Sequence, residues 1–231
     1  MRDVLITGGS NGIGFALCKA YLNMGDRVYN LDLIDNTQLT NEKNYTFYKC
    51  DLKDHLRLKQ IWEKLPMMDI LILNAAMYDR SPFLKQSIDE INEIIDVNLI
   101  GHIVCAKEYA NAYNGKNGCI IVITSTRAYM SEKDTIGYTV SKGALSSLVH
   151  GLAVTLQEKY IRVNGVAPGW INSHDDSLRK IDNEFHLSNR VGKPQDIVKA
   201  VMFLSDASND FITGEIITID GGITKKMIYT K

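Results

Sequence analysis

The sequence predicts an α/β protein: a doubly wound parallel sheet with helices on both faces, in a single domain. Three observations carry this. Short runs rich in Val, Ile and Leu alternate with longer helical stretches along the whole chain, as expected of strands covered on both faces. The first strand runs into a glycine-rich turn and then a helix, the opening of a βαβ unit. The chain has 231 residues, enough for one large core, and neither a linker, a repeat nor a low-complexity tract divides it.

The elements follow in order. Arg2 to Thr7 reads as a buried strand around Val4, Leu5 and Ile6. The turn Gly8-Gly9-Ser10-Asn11-Gly12-Ile13-Gly14 leads into a helix reaching about Met24, where Gly25 and Asp26 stop it. Arg27 to Leu31 is a second strand, ending at Asp32, and Tyr45 to Lys49 a third. Leu52 to Leu65 reads as a helix and Asp69 to Leu73 as a strand. One long helix is expected from about Ile88 to Tyr113, then a strand from Cys119 to Thr124. A helix carrying Tyr138 runs to about Tyr160, followed by a strand over Ile161 to Ala167. Pro194 suits the first turn of a helix ending near Leu204, and Glu215 to Asp220 is the last strand.

Composition narrows the function. There are 26 basic and 27 acidic residues, a net charge of −1, and no basic block stands out, which argues against nucleic acid as a partner. Cys18, Cys50, Cys105 and Cys119 are scattered without Cys-x-x-Cys spacing, so neither a disulfide framework nor a zinc site is indicated. The spacing of His55, His102, His150 and His186 suggests no metal site either. No apolar run reaches the ~18 residues of a membrane span. The first strand begins almost at Met1, leaving no room for a targeting peptide. A reduced, soluble, cytoplasmic protein is the expectation.

Gly8, Gly12 and Gly14 lie at the first strand–helix turn. Such a turn directs bare backbone N–H groups and a helix N-terminus toward a phosphate, and in this context it points to a dinucleotide. Asp32 ends the second strand, where a carboxylate can accept from the adenosine ribose hydroxyls and repel a 2′-phosphate. The turn also carries Asn11 and neither arginine nor lysine. NAD is therefore favoured as cofactor over NADP. Asp35 is an alternative acid just beyond the strand end. Tyr138 and Lys142, four residues apart, share one helix face. A phenol titrates near 10, and a neighbouring cation favours its phenolate, so this tyrosine can exchange protons with an alcohol or ketone. Ser125, at the end of the apolar run beginning at Cys119, could face the same point.

With these motifs the chain resembles the short-chain dehydrogenase/reductase family over nearly its full length. Thr7-Gly8-x-x-x-Gly12-x-Gly14 matches the cofactor turn, including Ser10, Asn11 and Ile13. Asp51-Leu52 matches the segment that meets the adenine, and Leu73-Asn74-Ala75-Ala76 corresponds to Asn-Asn-Ala-Gly. Asn98, in Val97-Asn98-Leu99, falls at the family's helix asparagine. Pro168-Gly169-Trp170-Ile171 matches the turn below the nicotinamide, and Ser173 stands where threonine is frequent. Arg190-Val191-Gly192-Lys193-Pro194 and Thr213-Gly214 through Asp220-Gly221-Gly222 match C-terminal signatures.

The resemblance implies a Rossmann fold and hydride transfer between NAD(H) and a hydroxyl/carbonyl substrate. Tyr138 would be the general acid/base. Lys142 would bind the nicotinamide ribose and lower the tyrosine pKa. Ser125 would hold the substrate oxygen, and Asn98 would anchor a relay water; an asparagine can also simply satisfy carbonyls at a helix kink. Two departures from the pattern are Leu73 for asparagine and Ala76 for glycine, the latter accommodated if φ stays negative. A homo-oligomer is implied, a tetramer before a dimer, with Ile94, Ile95, Ile103, Leu145, Leu148 and Leu152 serving core or interface. Alternatives are an NADP-dependent carbonyl or 3-oxoacyl-thioester reductase, and a non-catalytic dinucleotide-binding scaffold.

A lid is expected at about residues 171–190. Its polar run Asn172, Ser173, His174, Asp175, Asp176, Ser177 hints at an open pocket or a small polar substrate. The family mechanism leaves no vacancy for His174. Tyr78, Tyr129, Met130 and Trp170 are candidates for either pocket wall or core. Arg127 could face an anionic group, although a solvated loop arginine is the plainer reading.

Overall fold

The computed structural model describes residues 1–173 and 176–227. Seven parallel strands form one sheet: β1 (Asp3–Thr7), β2 (Arg27–Asp32), β3 (Tyr45–Lys49), β4 (Ile70–Leu73), β5 (Gly118–Ile123), β6 (Ile161–Pro168) and β7 (Ile216–Ile219). Their spatial order is β3-β2-β1-β4-β5-β6-β7. Winding reverses between β1 and β4, and such a switch point opens a crevice at the strands' C-terminal ends.

Alternation along the strands splits the core into two layers. Leu5, Leu71, Ile120 and Val163 face α2 (His55–Trp62), α4 (Gly101–Ala112) and α5 (Ile136–Thr155). Val4, Ile6, Ile72 and Ile121 face α1 (Gly12–Asn23) and α7 (Pro194–Ser205). The strands of β1, β4 and β5 are buried throughout, which is why they read as continuous apolar runs.

Local chemistry sets the helix starts. Asp54 caps α2 by accepting from the Arg57 N–H at 2.9 Å, so this helix begins three residues later than the sequence suggests. Ser87 and Glu90 form a capping box on α3 (Ile88–Ile95). Pro194 opens α7, where Asp196 accepts from the Lys193 N–H at 2.8 Å.

Two regions differ from expectation. The long helix over 88–113 is not continuous: a π-turn over Asp96–Ile100 separates α3 from α4. The segment over 171–190, where a polar lid is expected, contains a short helix, α6 (Lys180–Glu184), in which Asp182 is buried, as is His186 just after it. His174 and Asp175 lie outside the described residues.

Candidate active site

The glycine turn closes the crevice from one side. Gly8 and Gly12 take φ of +68° and +52°, a conformation that disfavours other residues. A Cβ on Gly14 would stand 2.0 Å from the Gly8 carbonyl oxygen, so strand end and helix start touch backbone to backbone. Asn74, after β4, donates from Nδ2 to the carbonyls of Thr7 (3.1 Å) and Gly8 (2.9 Å). Its side chain therefore braces the turn, and Ala75 packs against Gly8. Thr7 Oγ1 accepts the N–H groups of Asn74 and Ala75 and lies 3.3 Å from the buried His102 Nε2. Burial, with the nearby Lys142 charge, drives the His102 pKa down to about 3, so this imidazole is a neutral buttress.

Asp32 joins turn to strand: Oδ2 accepts from the Ser10 N–H at 3.0 Å and Oδ1 from the Leu33 N–H at 2.7 Å. Each oxygen keeps a lone pair for a further donor. The Ser10 hydroxyl is buried and accepts from Asn30 Nδ2 at 2.9 Å, while Asn30 Oδ1 accepts from the Gly9 N–H. Asn11 and Ile13 lie at the start of α1, Asn11 exposed as its N-cap. Asp35 accepts from the Tyr45 hydroxyl at 2.8 Å, which occupies the alternative acid. Ser173 comes from the lid and lies beside Gly12.

Other expected cofactor residues divide. The Leu52 side chain is buried in the core and packs beneath Gly101, whereas Asp51 stays half-exposed. Leu73 is fully buried, which explains how a leucine is tolerated at that position. Ala76 is exposed and is not among the described non-glycine residues with positive φ, so its methyl is accommodated. Pro168 ends β6, Gly169 packs on Asp220, and Ile171 makes a parallel bridge to Gly192.

Tyr138 and Lys142 meet as their spacing predicts. Lys142 Nζ lies 5.5 Å from the Tyr138 ring centroid and donates to the Ile123 carbonyl at 2.9 Å. The lysine is 1% exposed, and burial pulls its pKa down to about 8. One of three ammonium donors is thereby engaged, leaving two for a ligand hydroxyl. Ser125 stands near enough to the Tyr138 hydroxyl to draw its pKa down, and its Oγ accepts the Arg127 N–H at 3.1 Å. Burial raises the Tyr138 phenol above its ordinary value; Ser125 and the Arg127 charge draw it back in part. Arg127 is a cation whose charge reaches the phenol, and the lysine nitrogen is turned to the Ile123 carbonyl.

Asn98 sits in the π-turn, fully buried. Its Oδ1 accepts from the Met77 N–H at 2.6 Å, and its Nδ2 donates to the Met77 carbonyl at 2.9 Å and to Ser141 Oγ at 3.1 Å. It thus ties the chain after β4 to the residue preceding Lys142. A π-turn at such a junction re-aims one side chain without ending the helix.

Beyond these groups opens a cleft of about 1080 Å³. Ser125 and Tyr138 line it, with Tyr78, Met130 and Trp170 as walls. Tyr78 stands edge-on to the Tyr138 ring at 4.9 Å. Tyr129 is not among the lining residues; it bonds Thr218 Oγ1 at 2.8 Å. The segment around α6 contributes apolar Ile181 and Phe185 as well as Arg179, so the polar run before it does not represent the face turned to the cleft. Sequence reasoning missed Arg80 and Glu132. Glu132 pairs with Arg127 at 2.5 Å and with Arg80, which donates from Nε to the Tyr78 hydroxyl at 2.9 Å. Partial burial pushes the Glu132 carboxyl up, but the two arginines hold it below its ordinary value.

These features fit a nicotinamide dinucleotide. A phosphate-receptive turn, a ribose-receptive carboxylate and a buried ammonium with donors to spare lie along one crevice leading to Tyr138.

The comparisons with known proteins agree with this geometry. A family model described as enoyl-(acyl carrier protein) reductase matches residues 8–224. An uncharacterized oxidoreductase of Thermotoga maritima is 35% identical over 250 residues, covering 99% of this chain and 98% of its own. A 2-dehydro-3-deoxy-D-gluconate 5-dehydrogenase of Formosa agariphila is 27% identical, covering 96% and 92%. The structure of a 4-hydroxyisoleucine dehydrogenase complexed with NADH superposes with a TM-score of 0.90 at 30% identity, covering 98% of this chain and 100% of that one.

Proposed function

The chain belongs to the short-chain dehydrogenase/reductase family and is an NAD(P)-dependent hydride-transfer oxidoreductase; on that premise we propose that it uses NAD(H) to interconvert a hydroxyl and a carbonyl on a small molecule. The bound cofactor supplies or accepts the hydride. Tyr138 gives a proton to the developing alkoxide in reduction and takes it in oxidation. Ser125, which lines the cleft beside the same phenol, orients the substrate oxygen. Lys142 binds the nicotinamide ribose through its two remaining donors. Asn98 holds Ser141 next to Lys142 and has one lone pair left on Oδ1 for a relay water.

The observation that carries the cofactor choice is Asp32. Its two oxygens are held by the Ser10 and Leu33 N–H groups, fixing a negative charge at the end of β2. Two ribose hydroxyls complete such a carboxylate, and a 2′-phosphate meets like charge. This weighs against the NADP-dependent carbonyl or 3-oxoacyl-thioester reductase. The engaged Ser125, Tyr138 and Lys142 weigh against a scaffold without turnover. A fluorescence titration with NADH and NADPH, run on wild type and Asp32→Ala, tests the reading. Wild type should bind NADH more tightly, and the variant should lose that preference by about tenfold, the scale of one charge-assisted pair. Equal or tighter NADPH binding by wild type refutes the choice.

We further propose a single domain with residues 171–190 as its lid, acting in the cytoplasm, where the four free buried cysteines stay reduced. It assembles as a homo-oligomer, tetramer before dimer. Ile94 and Leu145 are core residues, but Ile103 on α4 and Val140 on α5 remain 37% and 54% exposed, available to a second copy. A monomeric mass by light scattering at micromolar concentration counts against assembly.

A further inference from the structure

We infer that the substrate carries a carboxylate a few bonds from its reacting carbon, and that Arg127 receives it; the inference rests on the hydride-transfer reading above.

Arg127 lies two residues beyond Ser125 and is fixed to it, since its backbone N–H donates to Ser125 Oγ. The loop that orients the substrate oxygen therefore also positions this guanidinium. The side chain is only 22% exposed and lines the same cleft as Ser125 and Tyr138. Its charge is felt at the phenol, so it stands close to the reacting end of the cleft.

The charges there do not balance. Arg127 and Arg80 share one carboxylate, Glu132. At the lid Arg179 has its own partner, Asp182. Three arginines thus face two acids among the described residues of the cleft wall. Arg80 is committed elsewhere, with Nε on the Tyr78 hydroxyl and its guanidinium over that ring. Arg127 Nη2 is spent on Glu132, while Nε and Nη1 donate no hydrogen bond among the described residues. A planar guanidinium held beside the phenol with two free donor nitrogens and half a counter-charge is suited to a planar anion. The other end of the bracket packs on the catalytic ring through Tyr78, which keeps the anion near the reacting carbon. The geometry selects a hydroxy acid or oxo acid over a substrate whose only charge lies at the end of a long chain.

In oxidation the carbinol carbon gives its hydride to NAD+, the hydroxyl proton passes to Tyr138 in its phenolate form, which becomes the neutral phenol, and an oxo acid and NADH result. The carboxylate is unchanged and keeps its partner throughout.

The test is a panel of four- to six-carbon acids hydroxylated at C2, C3 or C4, each beside its methyl ester, assayed with NAD+ on wild type, Arg127→Met, Arg127→Lys and Glu132→Gln. In parallel, glutarate is titrated into each enzyme–NADH complex by fluorescence. Wild type should favour an acid over its ester by more than about tenfold in kcat/KM. R127M should lose about 10–100-fold more for acids than for esters, mostly in KM, and R127K should restore part of that difference. Glutarate binding should weaken in step. E132Q, which removes the competing carboxylate, should shift the ratio further toward acids. Wild type that binds NADH but prefers esters, or an R127M that treats both alike as wild type does, overturns the inference alone. Failure of wild type to bind either NADH or NADPH overturns the hydride-transfer reading and this inference with it.

Discussion

Lys142 is a buried cation without a carboxylate partner among the described residues, and its effect on stability can be worked out. Among the described residues it meets the Ile123 carbonyl and the face of the Tyr138 ring. Burial lowers its pKa to about 8. The unfolded chain keeps that proton to about 10.4. Between these values the unfolded state holds more protons than the folded one, so stability rises with pH across that window. Below pH 8 the whole penalty is present, about 3 kcal/mol for a depression of this size. Lys142→Met keeps the unbranched apolar stem and removes the charge, at the expense of one hydrogen bond of about 1 kcal/mol. The cofactor-free variant should therefore be about 2 kcal/mol more stable than wild type at pH 7. For a chain of this size that is about 4–8 °C in Tm. The gain should shrink steadily above pH 8. Urea denaturation from pH 6.5 to 9.5, read by tryptophan fluorescence, measures it. A variant less stable than wild type at pH 7, or a gain that ignores pH, refutes the reasoning.

Other expectations follow from the same contacts. Tyr138→Phe should lower kcat by about 10²–10⁴-fold while leaving NADH affinity near wild type; a smaller loss removes the phenol from proton transfer. Gly14→Ala drives a methyl into the Gly8 carbonyl oxygen and should abolish NADH binding with a fall in Tm, whereas intact NADH binding would mean that the turn can open. Asn98→Ala strands the Met77 N–H and carbonyl and should cost about 2–3 kcal/mol in urea denaturation, with a loss of kcat beyond what added stability restores.

Much of the fold was legible because its signals are local. Apolar runs gave all seven strands to within a residue or two, and one glycine turn located the crevice. The π-turn was harder, since the one glycine in the run from Ile94 to Ile103, Gly101, is tolerated within a helix. A signal existed all the same: the buried positions Ile94, Asn98 and His102 step by four, a spacing from which a 3.6-residue helix drifts and which the wider turn absorbs. Helix α6 escaped because its apolar residues face the cleft, not the core, and five residues carry no periodicity. The pair Tyr138 and Lys142 could be read from one helix. The bracket of Arg80, Glu132 and Arg127 could not, because Arg80 and Glu132 stand on separate loops 52 residues apart. Asn74 and Ser10, expected as cofactor contacts, spend their side chains bracing the turn; sequence motifs do not distinguish a contact from its support.

The buried lysine and the unbalanced arginines raise a common point about why such costly groups persist. A ligand at 100 times its Kd stabilises the folded state by about 2.7 kcal/mol. That is close to the penalty carried by Lys142 without cofactor. Binding the dinucleotide would give the ammonium further acceptors, so saturating cofactor would offset the cost of burying Lys142. The order of stability between wild type and Lys142→Met should consequently reverse when saturating NADH is added. If wild type gains no more than the variant, the lysine is merely tolerated in the core, and its donors are not what the cofactor meets.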